Sequence, residues 1–197
     1  MPSTTRYTIA FLLLTLAGAS TAAAQGAGQS GMAMNEPTTM VGGQAMFRTR
    51  DIVDNAVNSA DHTTLVAAVK AAGLVETLKA EGPFTVFAPT NAAFAALPES
   101  TVPTLLEPKN REQLTSVLTY HVVPGRYDAA GLIQAIEQGH GRAALRTASG
   151  ETLWIMMNGD RNIVVRDAQG GVASISTYDV IQSNGIIHVV DKVLLPS

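Results

Sequence analysis

Apolar positions between residues 48 and 197 recur in two rhythms, and the change from one to the other divides this stretch into a helical half and a strand half. Ile52, Val53, Ala56 and Val57 stand at i, i+1, i+4 and i+5, one face of a helix. Leu65, Val66, Val69 and Ala72 form the next such face, with Asp61 placed to cap its start and Gly73 offering a left-handed exit. Leu74 to Ala80 continues for a further turn or two before Gly82-Pro83 stops it. Phe84 to Ala88 then reads as a short apolar strand, and Pro89-Thr90-Asn91 begins a short helix through Ala96, with Thr90 or Asn91 placed to accept a backbone hydrogen bond. Leu114, Val117, Leu118 and His121 lie at i, i+3, i+4 and i+7 of a helix starting at Arg111. After a turn at Pro124-Gly125, Leu132, Ile133 and Ile136 give helical spacing to Asp128–Gln138.

From Ala143 the pattern shortens to strands separated by turn residues, as an antiparallel sheet requires. Thr152 to Met157, Asn162 to Arg166, Val172 to Thr177 and Ile186 to Leu195 are the strand segments; Ser149-Gly150, Asn158-Gly159-Asp160, Ala168 to Gly171 and Asn184-Gly185 are the turns. Asn184-Gly185 is the strongest of these signals, because both residues tolerate the positive φ of a type I′ hairpin. The last strand is almost continuously apolar, so both of its faces are expected to be covered. Trp154, Met156 and Met157 alternate along one strand, so at least one of them should face outward. Helices followed by strands predict an α+β domain.

The ends of the chain change this picture. Arg6, the apolar run Ile9 to Gly18 and Ala22-Ala23-Ala24 have the layout of a secretory signal peptide over residues 1–24, with an apolar run about half the ~20 residues that a membrane span needs. Residues 25–47, rich in Gly, Ser, Gln and Thr, read as a flexible linker to a domain at 48–197. The linker holds Met32, Met34, Met40 and Met46, soft thioethers of the kind that suit Cu(I), but no His or Cys accompanies them. The 197 residues include no cysteine, so a domain in an oxidising compartment must rely on its hydrophobic core. At 46% hydrophobic residues the composition permits one. Net charge is -3, and the 13 Lys and Arg residues are scattered along the sequence, which argues against nucleic-acid binding.

Three segments carry a resemblance. Phe84-Thr85-Val86-Phe87-Ala88-Pro89-Thr90-Asn91-Ala92-Ala93-Phe94, the pair Tyr120-His121 followed by Val122-Val123-Pro124-Gly125, and Asn184 to Pro196 resemble, in order and spacing, the motifs of the fasciclin (beta-Ig-H3) domain. Many relatives have Asp at the position of Asn91; either residue can cap a helix. The resemblance covers about Thr49 to Pro196. It implies an α+β fold, a wedge-shaped β-sandwich decorated with several α-helices, with the two long motifs on neighbouring central strands. It also implies a single-domain bacterial secreted protein that binds a cell-surface or matrix protein or glycan without catalysis. A single weak module gains attachment strength by multivalent display, and the sequence shows no repeat of the domain, so weak self-association or high surface density is expected to supply it. Animal relatives use an Asp-Ile pair and the Tyr-His segment in integrin recognition. The matching positions, Asp179-Val180 and Tyr120-His121, are therefore the candidate partner-binding or motif-supporting residues.

No Gly-x-Ser-x-Gly, His-Glu-x-x-His, phosphate loop or dinucleotide fingerprint occurs, so neither enzyme activity nor a cofactor is expected. His121 and His188 could share a metal, but a stable site wants a third ligand, and each lies within an apolar run where a neutral imidazole can tie strands together. Asp160, Asp167 and Asp191 are too far apart in sequence for a calcium loop. The expected role is adhesion or surface interaction after export by the general secretory route. A carrier of a small apolar ligand, held against the sandwich or between sheet and helices, is the alternative.

Overall fold

A computed structural model describes residues 38–197; the expected leader and the linker up to residue 37 lie outside them. The remainder of the expected linker is folded. Thr39–Val41 (β1) and Gln44–Met46 (β2) pair antiparallel across Gly42-Gly43, whose φ values of 58° and 73° suit a two-residue hairpin turn. Val41 and Met46 are buried. A Gly-Gly pair that reads as flexible composition is here a tight turn, and the hairpin covers part of the core.

The helices follow the apolar stripes. Ile52–Ala56 (α1) is capped by Asp51, whose Oδ1 accepts from Asp54 N at 2.7 Å. Thr63–Ala72 (α2) ends at Gly73 with φ 74°, the expected left-handed exit, and Val75–Lys79 (α3) follows. Asp61 does not cap α2. A 3-10 turn over Ala60–His62 occupies that place, and the first turn is held instead by Asn91: its Oδ1 accepts from Thr64 N at 3.0 Å and its Nδ2 donates to Ala60 O at 2.9 Å. Thr90 caps the helix Asn91–Ala95 (α4), accepting from Ala93 N at 3.2 Å. Thr101–Leu106 (α5), Arg111–Tyr120 (α6) and Ala129–Gln138 (α7) complete the helices among the described residues.

Seven strands form one mixed sheet. They are Phe84–Pro89 (β3), Val122–Pro124 (β4), Arg142–Arg146 (β5), Thr152–Asn158 (β6), Asn162–Arg166 (β7), Val172–Ile181 (β8) and Gly185–Val190 (β9), in the order β4-β3-β9-β8-β7-β6-β5. From β5 to β9 each strand pairs antiparallel with the next, whereas β3 lies parallel to β9, Phe84 opposite Gly185 and Pro89 opposite Val190. The two family-like segments are thus neighbours at the centre. β8 pairs with β7 through Val172 to Ser174 and with β9 from Ile175 onward, with two shifts of register. Such irregularities bend a strand, and the sheet turns back on itself until Ala148 N, beyond β5, donates to Val122 O of β4 at 2.7 Å. The result is a mixed sheet that is nearly a barrel.

β3 and β9 are buried on both faces, and each separates two cores. Val86, Ala88, Ile187 and Val189 pack under helices with Leu65, Val69, Leu114 and Leu118. Phe87 and Val190 point the other way, into a core with Leu132, Ile136, Leu153, Ile155, Ile163 and Val165.

Asn184-Gly185 does not make the type I′ turn. Neither residue has positive φ; residues 182–184 connect β8 to β9, closed by Gln182 N donating to Gly185 O at 2.9 Å. Asn184 is drawn instead toward the helices: Oδ1 accepts from Ile52 N at 3.0 Å and Nδ2 donates to Leu78 O at 2.8 Å. Gly185 is required by proximity, since a Cβ there would lie 2.2 Å from Phe84 O. Gly185→Ala is therefore expected to destabilise the domain by about 1–3 kcal/mol through overpacking, measured as a fall in the urea midpoint; a loss below about 0.5 kcal/mol, the scale of neutral surface changes, would contradict this close approach.

Candidate functional site

Tyr120 and His121 end α6 because the apolar stripe of that helix runs on through its last turn. Tyr120 is fully buried, and its hydroxyl donates to Thr152 O at 3.0 Å and accepts from Ala168 N at 2.9 Å, joining α6 to β6 and to the β7–β8 turn. Burial pushes its phenol pKa up. His121 Nδ1 lies 2.8 Å from Val117 O, and Nε2 accepts from Leu194 N at 3.0 Å. These partners assign a neutral ring with its proton on Nδ1. Burial lowers its pKa from 6.5 to about 4.

Asp179 sits in the irregular stretch of β8 with φ 54°, one of two non-glycine residues with positive φ among the described residues. Its Oδ1 accepts from Ala129 N at 2.7 Å at the start of α7, beside Asp128, which accepts from Gly131 N at 2.8 Å. Its own N–H points at His188 Nδ1, 3.4 Å away, while His188 Nε2 donates to Tyr127 O at 2.8 Å. Thr85 Oγ1 accepts from Tyr127 N at 2.9 Å. A loop and a helix start are thus pinned to β3, β8 and β9 by one chain of hydrogen bonds. Phe87 stacks on the His188 ring with centroids 5.8 Å apart, and burial holds its pKa below the usual value.

Tyr120, His121 and Asp179 are therefore internal ties, and Val180 is a core residue. Tyr120, His121 and Val180 are 0%, 3% and 1% exposed, and the carboxylate of half-buried Asp179 is engaged with α7. They form two separate networks, one around Tyr120-His121 and one around Asp179 and His188. A partner contact through the first three has no surface to use. Among the described residues, no three His, Cys, Asp or Glu side chains converge as a metal site.

What the domain does present is the outer face of β5 to β8. Ala144, Trp154, Arg166 and Val172 lie in one register row across four strands, and Arg142 and Arg146 flank Ala144 on the same face. All six are exposed, Trp154 to 36%. The Arg142 guanidinium lies 5.0 Å from the Trp154 ring centre, and among the described residues none of the three arginines forms an ion pair. Cations scattered in sequence are gathered by strand pairing. The only local sign of this is the alternation of Arg142, Ala144 and Arg146 along one strand.

A protein-family model for the Fasciclin domain matches residues 60–196. The chain belongs to the fasciclin-domain family. Among its fasciclin relatives, protein sll1483 of Synechocystis is 45% identical over 165 residues, 84% of each chain. Immunogenic protein MPB70 of Mycobacterium bovis is 36% identical over 146 residues, 72% of this chain and 66% of that protein. The fold matches a solved fasciclin domain pair from the insect cell adhesion molecule Fasciclin I with a TM-score of 0.54 at 21% identity, covering 66% of this chain and 43% of that one.

The histidine geometry gives this fasciclin domain a defined response to acid. His121 has a folded pKa below its unfolded value, so its contribution to stability is complete above about pH 6.5 and is lost as pH falls toward 4. The shift corresponds to on the order of 3 kcal/mol. His188 acts in the same direction. The melting temperature should fall between pH 7 and 5, and His121→Gln, less stable at pH 7, should show a flatter slope; a wild-type melting temperature constant over that interval would contradict the assignment.

Proposed function

We propose that this fasciclin-domain protein is an exported surface-interaction factor that binds an acidic glycan of a cell surface or matrix, non-covalently, through the outer face of β5 to β8. The observation that carries the proposal is the half-exposed Trp154 at the middle of a strand face bearing Arg142, Arg146 and Arg166. An indole offers a flat apolar surface on which a sugar ring can lie, and unpaired guanidinium groups suit carboxylate or sulfate by paired hydrogen bonds. Trp and Arg are also the residues that most often dominate binding energy at interfaces. The face is rigid because its strands pack a full core on the other side, so little order has to be gained on binding. Family membership and the cell-adhesion role of the insect protein support the same reading.

The protein should bind an immobilised uronic-acid polysaccharide in a salt-sensitive manner and ignore a neutral one. Replacing Arg142, Arg146 and Arg166 together by Ser should weaken binding by about tenfold or more, equivalent to about 1.4 kcal/mol, and Trp154→Ala should do the same, with the melting temperature little changed. Binding that is unaffected by these variants, or that is seen only with a protein partner, would overturn the proposal.

A further inference from the structure

The sequence contains two Asn-Gly pairs, Asn158-Gly159 and Asn184-Gly185. In such a pair the asparagine amide can be attacked by the backbone nitrogen that follows it, because glycine has no side chain to shield that nitrogen. The pairs are alike in sequence, and the structure makes them opposites.

Asn184-Gly185 is clamped. Both ends of the Asn184 amide are engaged: Oδ1 accepts from Ile52 N at 3.0 Å, and Nδ2 donates to Leu78 O at 2.8 Å and to Ala80 O at 3.2 Å. Its carbonyl accepts from Phe84 N at 3.1 Å, and Gly185 is buried against the Phe84 carbonyl. The amide cannot turn back onto the Gly185 nitrogen until these bonds open, and they tie the β8–β9 connection to α1 and α3.

Asn158-Gly159 is free of such ties. Asn158 is the last residue of β6, opposite Asn162 at the start of β7, and Gly159 opens the turn between them with φ 71°. Asn158, Gly159, Asp160 and Arg161 are all exposed. Among the described residues, neither the Asn158 side-chain amide nor the Gly159 N–H has a hydrogen-bond partner. A Cβ built on Gly159 would meet nothing within 4 Å, so nothing crowds the approach.

We propose that Asn158 is a site of spontaneous deamidation in the folded protein. Hydroxide takes the Gly159 N–H proton, and the nitrogen attacks Asn158 Cγ. The new C–N bond forms as the Cγ–Nδ2 bond breaks, and the departing nitrogen takes a proton from water and leaves as ammonia. Water then adds to either carbonyl of the resulting cyclic imide and opens it, leaving aspartate or isoaspartate at position 158. The reaction consumes water and needs no oxidant, reductant or enzyme. Asn158 shares the outer face of β6 with Trp154 and Met156 and stands diagonal to Arg142, the partner of Met156. The product therefore places a new negative charge on the strand face that carries the arginines, and the isoaspartate form also lengthens the main chain where β6 and β7 join. The modification itself does not depend on glycan binding.

The test ages the whole folded protein in mildly alkaline buffer and follows both Asn-Gly peptides by mass spectrometry. The Asn158 peptide should acquire the mass of the acid and appear as aspartate and isoaspartate forms. The Asn184 peptide should convert about tenfold or more slowly, because its reaction waits on a local opening of the structure. In denaturing urea the two should convert at similar rates, and Asn158→Gln should remove the fast conversion. No conversion at Asn158, conversion of Asn184 as fast as Asn158 in the folded protein, or the same preference for Asn158 in urea would overturn the proposal.

Discussion

The parallel pairing of β3 with β9 requires two strands far apart in sequence to lie side by side with both faces covered. Val86, Ala88, Ile187 and Val189 belong to one core, and Phe87 and Val190 to the other. Separating the pair would expose both at once, at roughly 1.5–3 kcal/mol for each large apolar side chain returned to water. The pairing also leaves no room for a side chain at the start of β9, where Gly185 lies against the Phe84 carbonyl. A polar residue on such a strand must find partners inside, and His188 does so with Tyr127 and Asp179. His188 thereby holds the loop before α7, whose first residue is bonded to Asp179 of β8.

This arrangement gives the fasciclin domain two unlike exteriors. Beyond one core lies the outer face of β5 to β8, packed against that core on its other side and carrying Trp154 and three arginines. Beyond the other lie short helices, joined by caps from distant residues such as Asn91 and Asn184. It is between these helices and the central strands that an apolar cavity lies.

Much of the architecture was legible from periodicity. The stripes of α2 and α6, the Gly73 exit, and the double-sided burial of the last strand are consequences of local pattern, and the structure has them. What periodicity could not show was partnership across the chain. Asn184-Gly185 reads as a local hairpin because turn propensity is local, yet Asn184 bonds to residues of α1 and α3. Gly42-Gly43 reads as linker because composition is blind to the burial of Val41 and Met46 on either side. The family motifs led to Tyr120, His121 and Val180, which are conspicuous as buried ties rather than as contact surface. Arg142, Arg146 and Arg166 meet only through strand register.

Residue-resolved hydrogen exchange under native conditions tests the central role of the β3–β9 pair most directly. If both cores depend on it, the amides of β3 and β9 will exchange only through global unfolding, with opening free energies equal to the largest in the domain and the same denaturant dependence. Exchange of β9 through a smaller opening, while β5 to β7 stay protected, would show that the sandwich core stands without the pair and would contradict that role.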